Sequence, residues 1–191
     1  MKKFSNGLIL ACLAAAMGGA GEMGLSVSGL APFMPAAAVA QTAAIPVSLP
    51  ELAVITLKDG GERSGRVAGF DSQQQTLLLQ RGSASASTPL NQIAKVVYAK
   101  DAPFYRAQGE PVLRGNPASH AGSVATWSNV PLSSFRVSDA SRGQASVMLD
   151  AVLSSSELRG VRAVASGSTY VVDEMQFNLQ NGTMTVLVTP Y

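Results

Sequence analysis

Apolar positions recur with a period of two along most of the chain and with helical spacing in one place. Ile55 and Leu57 alternate with Thr56 and Lys58, a half-buried strand that ends at the tight-turn signal Asp59-Gly60-Gly61. The run from Gly65 to Phe70 carries Val67 and Phe70. Gly65 and Gly69 lie in it where a missing Cβ lets a strand bend or another backbone come close. Asp71-Ser72-Gln73-Gln74 reads as a polar turn, and Thr76-Leu77-Leu78-Leu79 as a short apolar run buried on both faces. Residues 82–87 read as a Gly/Ser/Ala-rich loop, after which Thr88-Pro89-Leu90 opens a turn. Ile93, Val96, Val97 and Tyr98 supply a last strand, for which β-branched and aromatic residues are suited. Residues 52–98 therefore predict a small β-barrel of four or five short strands, and the rest of the chain is arranged around it.

The order of strand, glycine turn, bent strand, turn, apolar strand and short closing strand resembles an SH3-like or Sm-like small barrel. The residues that carry the resemblance are Ile55 to Gly60, Gly65 to Asp71, Thr76 to Leu79 and Ile93 to Val97. It covers about a quarter of the chain, and fold analogy alone confers no function. Sm-like proteins bind RNA and form rings, but the loop residues they use for uridine are not recognisable in this sequence. The whole chain also resembles exported cyanobacterial proteins of uncharacterised function, a resemblance that implies no activity.

Ahead of the barrel, residues 41–50 (QTAAIPVSLP) read as an extended linker with two prolines. Behind it, Lys100 to Ser128 is irregular and rich in Pro and Gly, with isolated edge strands at Pro111 to Arg114 and Val124 to Trp127. A connection this long is uncommon inside one compact domain, which places a boundary near residue 105. The predicted division is a barrel over 51–104, a connection over 105–123 and an α+β unit over 124–191. In that last unit Ala145, Val147 and Leu149 alternate with Ser146, Met148 and Asp150. Ser154 and Glu157 have capping-box spacing ahead of Leu158, Val161, Val164 and Ala165, a short helix that Gly167 stops. Thr169 to Leu179 and Thr183 to Thr189 flank Gln180-Asn181-Gly182, a hairpin whose Asn-Gly suits the positive φ angles of a type I′ turn. Met184, Val186 and Val188 share one of its faces. No internal repeat is expected between this unit and the barrel. The fold class is mainly β, α+β overall: a small SH3/Sm-like barrel, then a β-rich unit with one short helix and a C-terminal hairpin.

Residues 1–40 change the compartment. Lys2 and Lys3 form a basic start, Gly7 to Ala20 is apolar, and Ala38-Val39-Ala40 precedes Gln41 with the small residues of a cleavage site. A secretory signal peptide is expected, with an earlier cut near Ala20 and an uncleaved anchor as alternatives. The apolar core is shorter than the ~20 residues of a membrane span. Cys12 after Ile9-Leu10-Ala11 admits a lipoprotein reading, but little hydrophobic segment precedes it. Cys12 is the chain's one cysteine, so a cut at residue 40 leaves no thiol and no disulfide in a compartment that would permit them. The same cut leaves 12 basic against 11 acidic residues, a net charge of +1, which offers no field for nucleic acid or anionic lipid.

Candidate chemistry is sparse. His120 is the one histidine, in the loop Asn116 to Gly122, and no nucleophile motif surrounds any serine, so a solvent-exposed loop residue is expected. One His without Cys makes no typical zinc site, and carboxylate-only calcium binding stays open. Asp173 and Glu174 are adjacent on a strand and point to opposite faces, the pattern of a polar hairpin face. Gly60 to Arg66 superficially resembles a phosphate loop, but it leads into a strand rather than a helix and lacks the lysine. Arg63, Arg66 and Arg81 are candidates to collect on one barrel edge and meet an acidic polymer. Tyr105 and Trp127 are candidates for an exposed aromatic platform on a sugar or peptide groove; the alternative is that Phe104, Tyr105, Trp127, Phe135 and Tyr191, with Val130-Pro131-Leu132, fill a seam between two β-rich parts.

These readings predict an exported, non-catalytic binding or structural protein of the periplasm or cell envelope, without cofactor or metal. An envelope protein is the first partner expected, through a groove or free sheet edge to which a peptide adds. Cell-wall or extracellular polysaccharide is the alternative. Hydrolase activity is a third reading and requires His120 within reach of a serine and a carboxylate.

Overall fold

The computed structural model describes residues 44–113, 122–150 and 152–191. All belong to one compact unit, Ala40–Tyr191. The expected signal peptide, with Cys12, and His120 lie outside the described residues. The fold is mainly β, with one helix and a curled sheet.

The first curl is built from β2 (Ala53–Leu57), β3 (Glu62–Asp71), β4 (Thr76–Arg81), β5 (Ala84–Pro89) and β6 (Ile93–Tyr98). Their order in the sheet is β6-β2-β3-β4-β5, and a 3₁₀ turn at Leu90–Gln92 carries the chain from β5 back to β6. Ala53, Ile55 and Leu57 face inward from β2, and the Asp59-Gly60-Gly61 turn forms with Gly60 at φ 87°. The expected bend in β3 is a bulge: the pairing with β4 shifts between Val67 and Gly69. Two expectations fail here. Leu78 is 38% exposed between buried Leu77 and Leu79, because β4 has a wet outer face and alternates like its neighbours. The expected loop at 82–87 is largely β5, paired with β4 from Arg81↔Ala84 to Thr76↔Pro89. Its Ala-Ser alternation has no apolar face to reveal a strand; backbone pairing alone makes it one.

The second curl is built from β1 (Ile45–Ser48), β9 (Ala125–Pro131), β10 (Phe135–Asp139), β11 (Gln144–Val147), β12 (Tyr170–Asn178) and β13 (Thr183–Pro190). Here β1 lies inside the sheet, in the order β10-β11-β1-β12, with β13 pairing both β12 and β9. The expected linker is thus an interior strand. Ile45, Val47 and Leu49 are buried, and Pro46 sits ahead of the parallel pairing to β12, which starts at Val47, where a missing N–H removes no bond to β12. A 3₁₀ turn at Leu132–Ser134 carries β9 to β10.

The boundary expected near residue 105 does not divide the sheet. The strands β6 and β12 pair at Val97↔Glu174 and Val96↔Met175, and one core runs through both curls. The connection contributes a small second sheet, β7 (Phe104–Tyr105) with β8 (Pro111–Val112). The capping box forms as read: the Glu157 carboxylate accepts from the Ser154 amide (2.9 Å) and the Ser154 hydroxyl from the Glu157 amide (3.3 Å), at the start of α1 (Ser155–Gly167). In the C-terminal hairpin Met184, Val186 and Val188 are buried, as their alternation requires. Its turn differs, since Gly182 (φ 63°) has positive φ and Asn181 does not. The loop spans Leu179 to Gly182 and needs one left-handed residue, not the two of a type I′ turn.

A short repeat links the two curls, against expectation. Pro89-Leu90-Asn91-Gln92-Ile93 and Pro131-Leu132-Ser133-Ser134-Phe135 form the same corner: prolines at φ −60° and −58°, then a 3₁₀ turn closed by the Ile93 or Phe135 amide on the leucine carbonyl. Two shared residues in five are too few to stand out by self-comparison. Leu90 and Leu132 are 1% and 4% exposed and plug the corners. Replacing either with Ala is expected to cost about 2–5 kcal/mol, measured by urea unfolding, whereas Asn91→Ala on the exposed side of the first corner should stay within about 0.5 kcal/mol.

Candidate binding surfaces

Three of the surfaces on this frame sort the sequence-predicted residues. The first is a cleft of about 370 Å³ lined by Glu51, Gly65, Arg66, Gln80, Arg81 and Gly82. It opens where β3 leaves β4 for β2. Gly65 belongs there because a Cβ would overlap the Gln80 carbonyl oxygen. Arg66 is anchored: its guanidinium pairs with Glu51 (2.9 Å) and donates to the Ser141 carbonyl (2.6 Å), tying β3 to the chain ahead of β2 and to the β10–β11 turn. Arg81, at the exposed end of β4, makes no ion pair with a described residue. Arg63 does not join them; its guanidinium donates to the Thr88 hydroxyl (3.0 Å). An odd separation between Arg63 and Arg66 on one strand puts them on opposite faces. Of the expected triplet, Arg66 and Arg81 line the cleft and Arg63 does not.

The second surface is the outer side of the first curl. Among the described strands, β5 pairs with β4 alone, so its far edge is free. Beside it a shallow groove of about 340 Å³ runs along Gly69, Phe70, Asp71, Thr76, Leu78 and Ser87.

The third is a recess of about 220 Å³ over β1 and β11, to which Tyr105 contributes. Tyr105 is half-buried, and its carbonyl accepts from the Ser48 hydroxyl (2.7 Å). Trp127 is absent from every surface. It is 2% exposed, edge-on to Tyr170 with ring centroids 5.0 Å apart, and belongs to the core. Val130, Leu132 and Phe135 are buried in the same core, while Phe104 packs on Tyr191 (4.9 Å) in a small second cluster with Val171 and Val112.

Asp173 and Glu174 do not converge. A bulge lies between Val172 and Glu174; the Asp173 carboxylate accepts from the Thr189 hydroxyl (2.6 Å) and that of Glu174 from the Gln176 amide (2.6 Å). Among the described residues no three His, Cys, Asp or Glu side chains could hold a metal ion together. The residues missed by sequence reasoning are Glu51, which neutralises Arg66, and Gln144, Ser146 and Thr169 around Tyr105. All are single polar residues whose partners are distant in the chain, and nothing local marks them.

No protein-family model matches the chain, and no curated protein or solved structure shows a significant similarity to it.

The anchor of Arg66 depends on the β10–β11 turn. There the Asp139 carboxylate accepts from the Ser141 amide (2.9 Å), the Ser141 hydroxyl (2.6 Å) and the Arg142 amide (3.2 Å). These bonds, the Ser141 hydroxyl first, hold its pKa below the ordinary 3.8. A lowered folded-state pKa contributes stability above the unfolded value and loses it as pH falls through the folded one. Unfolding midpoints should therefore drop as pH goes from 4 toward 2, and Asp139→Asn should be less stable at neutral pH and show a smaller drop. Arg66→Ala is expected to cost about 1–2 kcal/mol in urea unfolding and Arg81→Ala less than about 0.5, because one arginine is built in and the other is free.

Proposed function

We propose that the protein is an exported, non-catalytic binding protein of the periplasm or cell envelope that takes an extended segment of an envelope protein on the free edge of β5. The observation that carries this reading is the edge itself. It is a six-residue strand paired on one side, with small uncharged side chains and without the lysines or inward charges that usually blunt an exposed edge. An added strand would gain main-chain hydrogen bonds there, and the groove at Leu78 and Ser87 would take alternate side chains. Arg81, free at the end of β4, would favour an acidic residue in the partner. The SH3-like and Sm-like reading belongs to this proposal, supported by the order β6-β2-β3-β4-β5 and the 3₁₀ corner before the closing strand. Export rests on the leader pattern of residues 1–40. Among the described residues, no helix is long and apolar enough to cross a membrane.

The polysaccharide alternative loses Trp127, which is buried in the core and offers no platform. The test is capture from a crosslinked envelope extract on the immobilised full chain, with and without muramidase digestion. A defined protein should be retained in both cases, lost with Ser85→Lys/Ser87→Lys, and weakened by Arg81→Ala. Capture that disappears on digestion, or that survives the double lysine variant unchanged, overturns the edge reading.

A further inference from the structure

The recess beside Tyr105 has a chemistry unlike the other two surfaces. Its floor is β1 and β11, paired through Pro46↔Ser146, and its walls are Tyr105, Ser138, Gln144 and Thr169. Among the described residues, no Asp, Glu, Lys or Arg lines it. The Gln144 side-chain amide N–H₂ is held by the carbonyls of Arg106 (3.3 Å) and Ala107 (3.4 Å), which leaves its Oε1 as an acceptor. Thr169 is 5% exposed and accepts from the Ala107 amide (3.4 Å), with its hydroxyl proton left to donate. Ser138 donates to the Gln144 carbonyl (3.1 Å) and keeps its lone pairs. The Tyr105 and Ser146 hydroxyls have no partner among the described residues.

Both strands of the floor are interior, β1 between β11 and β12, β11 between β10 and β1. Each has a strand on both sides, so neither offers an added peptide strand a free edge. A ligand must be held by hydroxyls, an amide oxygen and one aromatic face. That is a complement to a neutral polyol that both donates and accepts, and it repays no anion or cation. The volume is below the roughly 300–1,000 Å³ of sites that enclose a drug-sized ligand, so one ring enters while the rest of a chain stays outside.

We propose that this recess is a neutral-sugar subsite, which seats a single pyranose unit of an uncharged polysaccharide with a C–H face against the Tyr105 ring. It stands independently of the β5 reading, because it uses other strands and other chemistry.

The test is a two-dimensional amide NMR titration of the full chain with N-acetylglucosamine trimer and with glucose β-1,4 trimer, and with galacturonate trimer as the charged control. One neutral trimer should shift the Ala107, Gln144, Ser146 and Thr169 amides saturably at millimolar concentration, and the charged one should not. Tyr105→Ala should weaken binding about tenfold and Tyr105→Phe less, since the ring face remains. Ser146→Trp fills the mouth from a half-exposed position and should abolish binding with an unchanged unfolding midpoint, which separates a blocked site from a misfolded one. Ser85→Lys/Ser87→Lys should leave the titration unaltered. The proposal is overturned if neither neutral trimer shifts these amides, if the charged trimer binds equally well, or if a folded Ser146→Trp variant binds as before.

Discussion

The second half of the sheet depends on where Ile45–Ser48 is laid. Among the described strands, the hairpin of β10 and β11 has no other neighbour in the sheet; β1 pairs antiparallel with β11 on one side and parallel with β12 on the other, and so joins them. The residues around it are tied as well. Leu49 donates to the Gly143 carbonyl (2.7 Å), Glu51 to that of Pro103 (2.9 Å), and the Ser48 hydroxyl to that of Tyr105. Gly143 is at φ 60°, and a Cβ there would overlap the Leu49 carbonyl oxygen, so that turn and β1 fit only because the position is glycine. Ile45, Val47 and Leu49 are each at most 2% exposed, and such side chains gain about 1.5–3 kcal/mol apiece on burial.

This placement also separates the two kinds of surface. A strand at the end of the sheet, such as β5, has main-chain groups to offer; strands within it, such as β1 and β11, have only side chains. The β5 edge thus presents main-chain groups, and the recess over β1 and β11 presents hydroxyls and an amide. In the cleft at Arg66 and Arg81, Glu51 and Ser141 hold the Arg66 guanidinium in the fold.

What was legible in the sequence was what is local. The alternation of Ile55 and Leu57, the Asp59 to Gly61 turn, the bend at Gly69, the Ser154–Glu157 box and the Met184, Val186, Val188 face each need neighbours within a few residues, and each formed. What misled was composition read without partners. Two prolines made Ile45 to Leu49 look like a linker, although its apolar alternation is that of a strand; alanine and serine made β5 look like a loop. The arginines failed for a reason of parity, since residues 63 and 66 of one strand cannot share a face. Trp127 follows the seam-filling reading, the favoured one for a large aromatic in this stretch: it is buried, on a strand paired with β13. The Pro-Leu corner was missed because its identity is geometric and only two of its five residues match.

The parallel pairing of Val47 with Tyr170 spans 123 residues, one of the longest intervals at which two strands of this chain meet. Contacts so distant carry the loop-closure entropy of everything between them, and chains dominated by such contacts fold slowly. A ribosome that has made β1 must make nearly the whole chain before the strand has both its neighbours. The strands of the first curl are all made once Tyr98 is, whereas the second lacks β12 and β13 until residues 170–190 are made. Until then β1 does not have both of its strand neighbours, so the second curl closes only after nearly all of the chain has been made.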